Sequence, residues 1–238
     1  MMIFSHIIDR FQLKFKDREA AGNILAESLK NSIKKEERKN ILVLGIPRGG
    51  VIIGSTIANK LSCDFGIIVP RKLHAPHNEE IGIGALMEDG TTYLNETLVK
   101  ELEISLEYIK KEKLDQLEEI RRRTQLYSGK TFDWNQNDLS GKTVILADDG
   151  AATGASIIVA VRYIKTNKKP GRLIITIPIS PKGTINTLKN EDIDQIEVIT
   201  SPKNGNFRSI EQYYQNFDQV TDKQVTDIIQ GNLEYHKF

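Results

Sequence analysis

The sequence lacks paired cysteines, long apolar runs and an excess of charge of either sign. Cys63 is the one cysteine among 238 residues, so no internal disulfide can form and a reducing compartment is expected. No stretch approaches the ~20 apolar residues that span a bilayer, and the apolar stretch at the start of the chain is too short for a secretory signal. These absences predict a soluble, cytoplasmic protein without a membrane partner.

The balance of charge excludes a second group of functions. Lysine and arginine number 33, aspartate and glutamate number 32, and the formal net charge is +1. Such balance argues against broad electrostatic capture of nucleic acid. Arg121–Arg123 form the one compact basic cluster, for which a solvated helix face is the expected role. With 39% hydrophobic residues, the chain is expected to form one domain over residues 1–238.

Ten residues, 147–156, carry the most specific pattern in the chain, and we call them the signature segment. They follow the apolar run Thr143–Leu146, which predicts a buried strand, and precede Ile157–Ile164, which predicts a mostly buried helix. Small residues let the backbone approach an anion, and the helix start offers unpaired N–H donors. The segment therefore predicts a sugar-phosphate site formed by Asp148, Asp149, Gly150, Ala151, Ala152, Thr153, Gly154, Ala155 and Ser156.

Two common phosphate-binding loops do not fit the signature segment. A Walker loop ends in Gly-Lys-Ser/Thr, and this segment contains no lysine. A dinucleotide-binding fingerprint places its ribose-binding acid about 20 residues after its glycines, whereas Asp148 and Asp149 precede Gly150 and Gly154. Two carboxylates ahead of the loop are suited to accept hydrogen bonds from a ribose diol.

The order of strand, two acids, variable residues and Thr-Gly-x-Ser resembles the signature of type I phosphoribosyltransferases. The resemblance extends over about residues 40–200. It implies 5-phosphoribosyl-1-pyrophosphate (PRPP) as a substrate and Mg²⁺ as a cofactor. In that family the acids hold the ribose hydroxyls and the Thr-Gly loop holds the 5-phosphate. The resemblance assigns these roles to Asp148 and Asp149 and to residues 152–156.

Two further loops place cations where such a site would need them. Gly45–Gly50 follows the apolar run Ile41–Gly45, which predicts a strand, and its Arg48 and Gly49 resemble the family's pyrophosphate loop, which often has an unusual peptide conformation. Arg71 and Lys72 follow a second predicted strand, Phe65–Val69, and could balance the charge of the leaving diphosphate. The resemblance thus implies catalytic roles for Arg48 and Lys72 and binding roles for Gly49 and Arg71.

Residues 74–84 are predicted to form a polar, mobile lid that closes over the reaction, as in type I family members. Glu79 is the first candidate for a general base there, with Glu80, His74 and His77 as alternatives. A metal site is disfavoured, because His-x-x-His-x-Glu on a loop with proline has no standard ligand geometry. No metal centre formed by protein ligands alone is therefore predicted.

Strands that alternate with helices predict an α/β fold with a parallel sheet flanked by helices, and ligands at the carboxyl ends of its strands. Residues 96–127 are predicted to be a helical insertion, either one helix or two that separate near Lys113. Residues 200–238 would form a C-terminal hood that recognises the acceptor. Its aromatic side chains are more typical of a core than of a base-stacking surface, and they are Phe207, Tyr213, Tyr214 and Phe217.

The leading hypothesis is a glycosyltransferase of nucleotide metabolism, in which a nitrogen nucleophile displaces pyrophosphate from PRPP. Ala152 stands where the hypoxanthine-guanine branch has an aspartate that contacts the base, which disfavours a 6-oxopurine and leaves the small-molecule acceptor open. The alternative is a PRPP-sensing regulatory protein without turnover. A nucleic-acid partner is disfavoured, and a homodimer stays open because family members are commonly dimers.

Overall fold

The computed structural model describes residues 14–127, 134, 137–202 and 205–235. Parts of the expected domain (1–238) and hood (200–238) therefore lie outside the described residues. The strands are β1 (Ile41–Gly45), β2 (Asp64–Ile67), β3 (Arg71–Ala75), β4 (Asn78–Leu86), β5 (Thr92–Leu94), β6 (Thr143–Ala147), β7 (Arg172–Ile179) and β8 (Gln195–Thr200). The α-helices are α1 (Arg18–Ser32), α2 (Gly49–Leu61), α3 (Glu96–Glu101), α4 (Leu106–Tyr127), α5 (Ala155–Asn167), α6 (Lys182–Leu188) and α7 (Asp222–Tyr235).

Five parallel strands form the central sheet in the order β2-β1-β6-β7-β8. All of β1 is buried, as are β6 and β7 after their first residues, which is typical of a parallel sheet covered on both faces. Alternate strand residues enter two cores. One core includes α5 and α6, and the other includes α1, α2 and α7. The predicted α/β fold with a parallel sheet flanked by helices is confirmed.

The register of the sheet brings two predicted site loops together. Gly45 at the end of β1 lies opposite Ala147 at the end of β6, and Ala147 lies opposite Thr176 of β7. The N–H of Ile46 then donates to the carbonyl oxygen of Ala147 over 2.9 Å. The loop that contains Arg48 and the signature segment consequently leave the sheet side by side.

A second, antiparallel sheet of three strands comes after β2 in the chain. Its order is β3-β4-β5, and the hairpin between β4 and β5 is closed by a bond from the N–H of Met87 to the carbonyl oxygen of Thr91. The prediction of a polar loop over residues 74–84 is wrong. Those residues continue β3, turn at Pro76 and His77, and form most of β4. One face of the β3–β4 hairpin borders the site described below.

The predicted helical insertion packs against the other face of the β3–β4 hairpin. Buried side chains of α4 and of the β3–β4 pair form a separate small core that includes Leu73, Ile83, Ile109 and Ile120. The insertion contains two helices, but they separate at residues 102–105 and not near Lys113. The Ser105 side chain accepts a bond from the N–H of Tyr108 over 3.1 Å and so caps α4.

The start of the described chain pairs with the hood. Phe15 donates to the carbonyl oxygen of Tyr213 and accepts from the N–H of Gln215, each over 2.8 Å. The rings of Phe15 and Tyr214 lie 5.3 Å apart, and Tyr214 is buried, as a core role predicts. Among the described residues, no helix combines the length and apolar character that a membrane crossing requires.

Candidate active site

A cavity of about 710 Å³ lies at the carboxyl ends of the central strands, between the hairpin, the hood and the start of α1. It collects loops that are far apart in sequence. The predicted site residues that line it are Arg48, Gly49, Arg71, Lys72, Asp148, Asp149, Gly150, Ala151, Ala152, Thr153, Gly154, Ala155 and Ser156. Glu79 does not line it.

The two acids stand at the end of β6 in different surroundings. Asp148 Oδ1 accepts a bond of 2.8 Å from the N–H of Asp149. Loss of hydration raises the pKa of Asp148 well above its ordinary value, and the adjacent carboxylate of Asp149 raises it further. The bond from the Asp149 N–H and the charge of Lys72 act in the opposite direction. The surrounding protein therefore compensates the charged form of Asp148 only in part.

Asp149 already has a cationic partner, Arg18, which sequence analysis did not find. The Nε of Arg18 donates to Asp149 Oδ2 over 2.7 Å, and its guanidinium lies 3.8 Å from the centre of the Phe217 ring. Tyr214 adds a bond of 2.8 Å from its hydroxyl to the backbone oxygen of Asp149. Burial raises the pKa of that phenol, so it stays a donor. Arg18 shares the buried side of α1 with Ala21 and Leu25, and this placement was the available signal.

The small residues of the signature segment form a fixed loop ahead of α5. Gly154 has a φ of 77°, a left-handed conformation that glycine adopts without strain, and α5 begins at the next residue. The hydroxyls of Ser180 and Thr184 donate to the carbonyl oxygens of Ala151 and Ala152. The first turn of α5 thus opens on the cavity, where its N–H groups and helix dipole favour an anion.

Three predicted cations, Arg48, Arg71 and Lys72, border the same cavity. Within the described ranges, no carboxylate lies within ion-pair distance of any of them. The peptide bond between Pro47 and Arg48 is cis. The Nε of Arg71 donates to Oε1 of Gln116 on α4 over 3.0 Å, and burial lowers the pKa of Arg71. These positive charges suit a polyanionic ligand.

In the β3–β4 hairpin, every second residue of β4 faces the cavity. Glu80, Gly82 and Gly84 line it, since successive strand residues point to opposite faces. Exposed Glu79 lies on the same side of β4 as Ile81 and Ile83, which pack on the insertion. The structure thus does not bring Glu79 to the cavity, and it places Glu80 there instead.

His74, an alternative candidate for the general base, lines the cavity together with Glu80. Its Nδ1 lies 2.9 Å from Oε1 of Glu112 on α4, which also accepts from the backbone N–H of His74 over 3.0 Å. His77 is in the β3–β4 turn and is not part of the cavity wall. Glu112 was not recognisable from the sequence, because the insertion has no local pattern that points to the hairpin.

Residues 12–213, more than half of the chain, match the family model described as phosphoribosyl transferase domain. The chain belongs to this phosphoribosyltransferase-domain family. Two Mycobacterium tuberculosis proteins, from strains H37Rv and CDC 1551, are each 29% identical over 211 residues and carry the name "putative phosphoribosyl transferase". The match covers 89% of this chain but 45% of each relative, so the chain spans less than half of their length.

A solved structure superimposes on nearly the whole chain. The crystal structure of TT1426 from Thermus thermophilus has a TM-score of 0.69 at 28% identity. The superposition covers 92% of this chain and 98% of that one. The similarity therefore includes the segments outside the central sheet and not the signature segment alone.

The cavity includes further cations that the signature segment did not indicate. Arg208 of the hood lines it, together with Glu211. Arg123 lines it from α4, although Arg121–Arg123 were expected to form a solvated helix face. That expectation holds for Arg121 and Arg122, which are exposed, and is wrong for Arg123. The compact basic cluster on which a nucleic-acid-binding role was considered is thus divided between solvent and the cavity.

Proposed function

We propose that this protein transfers the 5-phosphoribosyl group of PRPP to a nitrogen nucleophile and releases pyrophosphate. One observation carries the proposal: a single cavity combines two adjacent acids, the start of α5 and the cations Arg48, Arg71 and Lys72. A sugar that bears phosphates at both ends matches this division of charge. Membership of the phosphoribosyltransferase-domain family supports the reaction class.

Each part of the substrate has a group of residues suited to it. Asp148 and Asp149 would accept hydrogen bonds from the ribose hydroxyls. The N–H groups of residues 152–156 would hold the 5-phosphate. Arg48, Arg71 and Lys72 would stabilise the charge that develops on the leaving pyrophosphate, which is the main electrostatic contribution that such a site can make. The residues would act by position and charge, without a covalent enzyme intermediate.

Mg²⁺ is proposed to enter with PRPP. No group of three or more metal-binding side chains occurs in the described part of the chain, so a metal cage made of protein ligands alone is not present there. Mg²⁺ commonly binds through one or two carboxylates and the oxygens of a phosphate substrate, and Asp148 and Asp149 fit this donor set. When bound, the ion would neutralise part of the diphosphate charge.

Activation of the acceptor is assigned to His74. If Nδ1–H donates to Glu112, Nε2 is the ring nitrogen left to accept a proton from the nucleophile. The acceptor nitrogen forms a bond to the anomeric carbon, the bond from that carbon to the pyrophosphate oxygen breaks, and the acceptor proton passes to His74. Ala152 supplies no functional group to the acceptor, so a 6-oxopurine is not the proposed substrate.

Mass spectrometry of the full chain with PRPP, Mg²⁺ and a mixture of nucleobases and small amines tests the proposal. We expect one acceptor to gain a phosphoribosyl group while pyrophosphate accumulates in equal amount. The double variant Asp148→Asn, Asp149→Asn is the matched control and should form neither product. PRPP should also raise the melting temperature, since a ligand at 100 times its Kd stabilises the native state by about 2.7 kcal/mol.

The same assays separate the enzyme from a PRPP-sensing regulator. Thermal stabilisation by PRPP without turnover of any acceptor would favour the sensor. Absence of stabilisation at millimolar PRPP would contradict both functions. Ribose alone should have no effect on the melting temperature, because it lacks the phosphates that the cations and the start of α5 would bind.

A further inference from the structure

Three consecutive arginines on α4 have three different environments. Successive helix residues are turned by about 100°, so neighbours cannot share a face. Arg121 is exposed to solvent. Arg122, with a side chain 51% exposed, donates to Glu119 and to Asp222 of α7 over distances of 2.7–3.0 Å. Arg123 is only 12% exposed and lines the cavity.

The side chain of Arg123 is held in place by α4 itself. Its Nε donates to Oε1 of Glu119, one turn earlier, over 2.7 Å. Glu119 also accepts hydrogen bonds from Arg122, and these two arginines lower the pKa of Glu119 to about 2. Glu119 thus orients the guanidinium of Arg123, while Arg122 has a second acidic partner in Asp222.

Arg123 adds to a cluster of like charges. Burial lowers the pKa of Arg71, and the nearby charge of Arg123 lowers it further, as does that of Arg48 to a smaller extent. Like charges in a partly buried site oppose folding unless an anion compensates them. The three arginines come from the loop after β1, from β3 and from α4, so the fold has brought them together from separate segments.

The polar side of α4 also fixes the neighbouring strand. Glu112, Gln116, Glu119 and Arg123 follow at intervals of four, three and four residues, which places them along one side of the helix. Gln116 accepts from Arg71 over 3.0 Å and donates to Glu112 over 3.1 Å. Ile109 and Ile120 lie on the adjoining stripe of the helix and enter the small core under the hairpin. The insertion is thus oriented with its polar side to the cavity.

We propose that Arg123 binds the pyrophosphate group of the substrate, so that the insertion helix α4 completes the anion site begun by the loops of the central sheet. Glu119 is then a positioning residue, which holds the guanidinium of Arg123 in place. This inference rests on the proposed function, since it assumes that the anion in the cavity is the diphosphate of PRPP.

Calorimetric titration of inorganic pyrophosphate into the full chain tests the inference without any acceptor. Arg123→Gln is expected to raise the dissociation constant by about tenfold or more, the effect of losing one hydrogen-bonded charge. Arg121→Gln and Arg122→Gln remove the same charge from adjacent positions on the same helix and are expected to change it less than about threefold, because the long-range effect of an exposed charge is screened. Melting temperatures of the ligand-free variants report whether the fold is intact.

A second substitution covers the case in which glutamine disturbs the packing at position 123. Arg123→Lys keeps the charge but loses the planar fork, so we expect weaker pyrophosphate binding at an unchanged melting temperature. If the parent binds pyrophosphate and both Arg123 variants bind it equally well, the inference is wrong while the proposed function stands. If the parent itself binds neither pyrophosphate nor PRPP, the proposed function fails and the inference fails with it.

Discussion

Arg18 and Asp149, 131 positions apart in the chain, form an ion pair of 2.7 Å at the wall of the cavity. The same guanidinium donates to the backbone oxygen of Asp218 over 2.9 Å and stacks on Phe217. One side chain therefore joins the first helix, the signature segment and the hood. The position of the acid proposed to meet the ribose depends on contacts that the signature segment does not contain.

Arg18→Gln should destabilise the ligand-free protein by about 3 kcal/mol, since it leaves a partly buried carboxylate without its cation. PRPP binding should weaken as well, because Asp149 would lose its fixed orientation. Chemical denaturation and PRPP titration measure the two effects. The matched control is Arg162→Gln, which breaks an exposed arginine–glutamate pair with Glu191 and should change stability by no more than about 1 kcal/mol. Equal losses in both variants would argue against a special role for Arg18.

Asp148→Asn should have opposite effects on stability and on binding. The folded-state pKa of Asp148 is raised, so the folded protein holds this proton more tightly than the unfolded chain. Ionisation of Asp148 therefore lowers stability as pH rises through the folded pKa, and the loss is absent below the unfolded value of about 3.9. The amide removes this loss while it keeps the acceptor for the N–H of Asp149.

We expect ligand-free Asp148→Asn to melt above the parent at neutral pH, with the difference shrinking as the pH approaches 4, and to lose stabilisation by PRPP. Thermal unfolding across pH, with and without PRPP, measures both. Asp149→Asn is the contrasting variant, since it breaks the pair with Arg18 and should melt below the parent. A neutral-pH melting temperature of Asp148→Asn below that of the parent would contradict the prediction.

The central sheet and the signature segment were predictable because their signals are local. A buried parallel strand appears in the sequence as a short continuous apolar run. The signature segment consists of ten consecutive residues at the end of such a run. The β3–β4 hairpin was harder to predict. Glu80, Gly82 and Gly84 face a polar cavity, so β4 shows no apolar alternation at its start and resembles a loop. The break at residues 102–105 had a local signal in the capping residue Ser105, but Lys113 was the more obvious interruption of the apolar stripe.

The contacts that complete the site were not predictable by spacing. Arg18 pairs with Asp149, and Glu112 pairs with His74 across 38 positions. A single sequence shows which residues share a helix face, but it does not show which distant element that face meets. Arg18 on the buried face of α1 was a recognisable anomaly, since a buried arginine requires a partner. Its partner was identifiable only in the folded chain.

The pair of His74 and Glu112 should control turnover and not PRPP affinity. His74→Asn is expected to lower the rate of transfer by about 10²–10⁴-fold, the usual contribution of a general base, and Glu112→Gln by a smaller factor.

Steady-state rates combined with PRPP titration test the assignment of His74. Glu79→Gln is the matched control, because this side chain lies on β4 but does not line the cavity. It should keep the turnover of the parent. A parental rate in His74→Asn with a low rate in Glu79→Gln would return the role to the residue first expected from the sequence.

Gly50 should tolerate no side chain, because the start of α2 lies against the acidic end of β6. A Cβ at this position would lie 2.7 Å from the carbonyl oxygen of Ala147 and 2.8 Å from Cα of Asp148, and both contacts are with backbone. Gly50→Ala is therefore expected to destabilise the fold by about 1–3 kcal/mol and to displace Asp148, which should weaken PRPP binding. Gly183→Ala in α6 is the control, since a Cβ there meets nothing within 4 Å and should leave stability unchanged or raise it by up to about 1 kcal/mol. Denaturant unfolding and PRPP titration measure both variants, and parental PRPP affinity in Gly50→Ala would show that the acids do not depend on the close packing of α2 against β6.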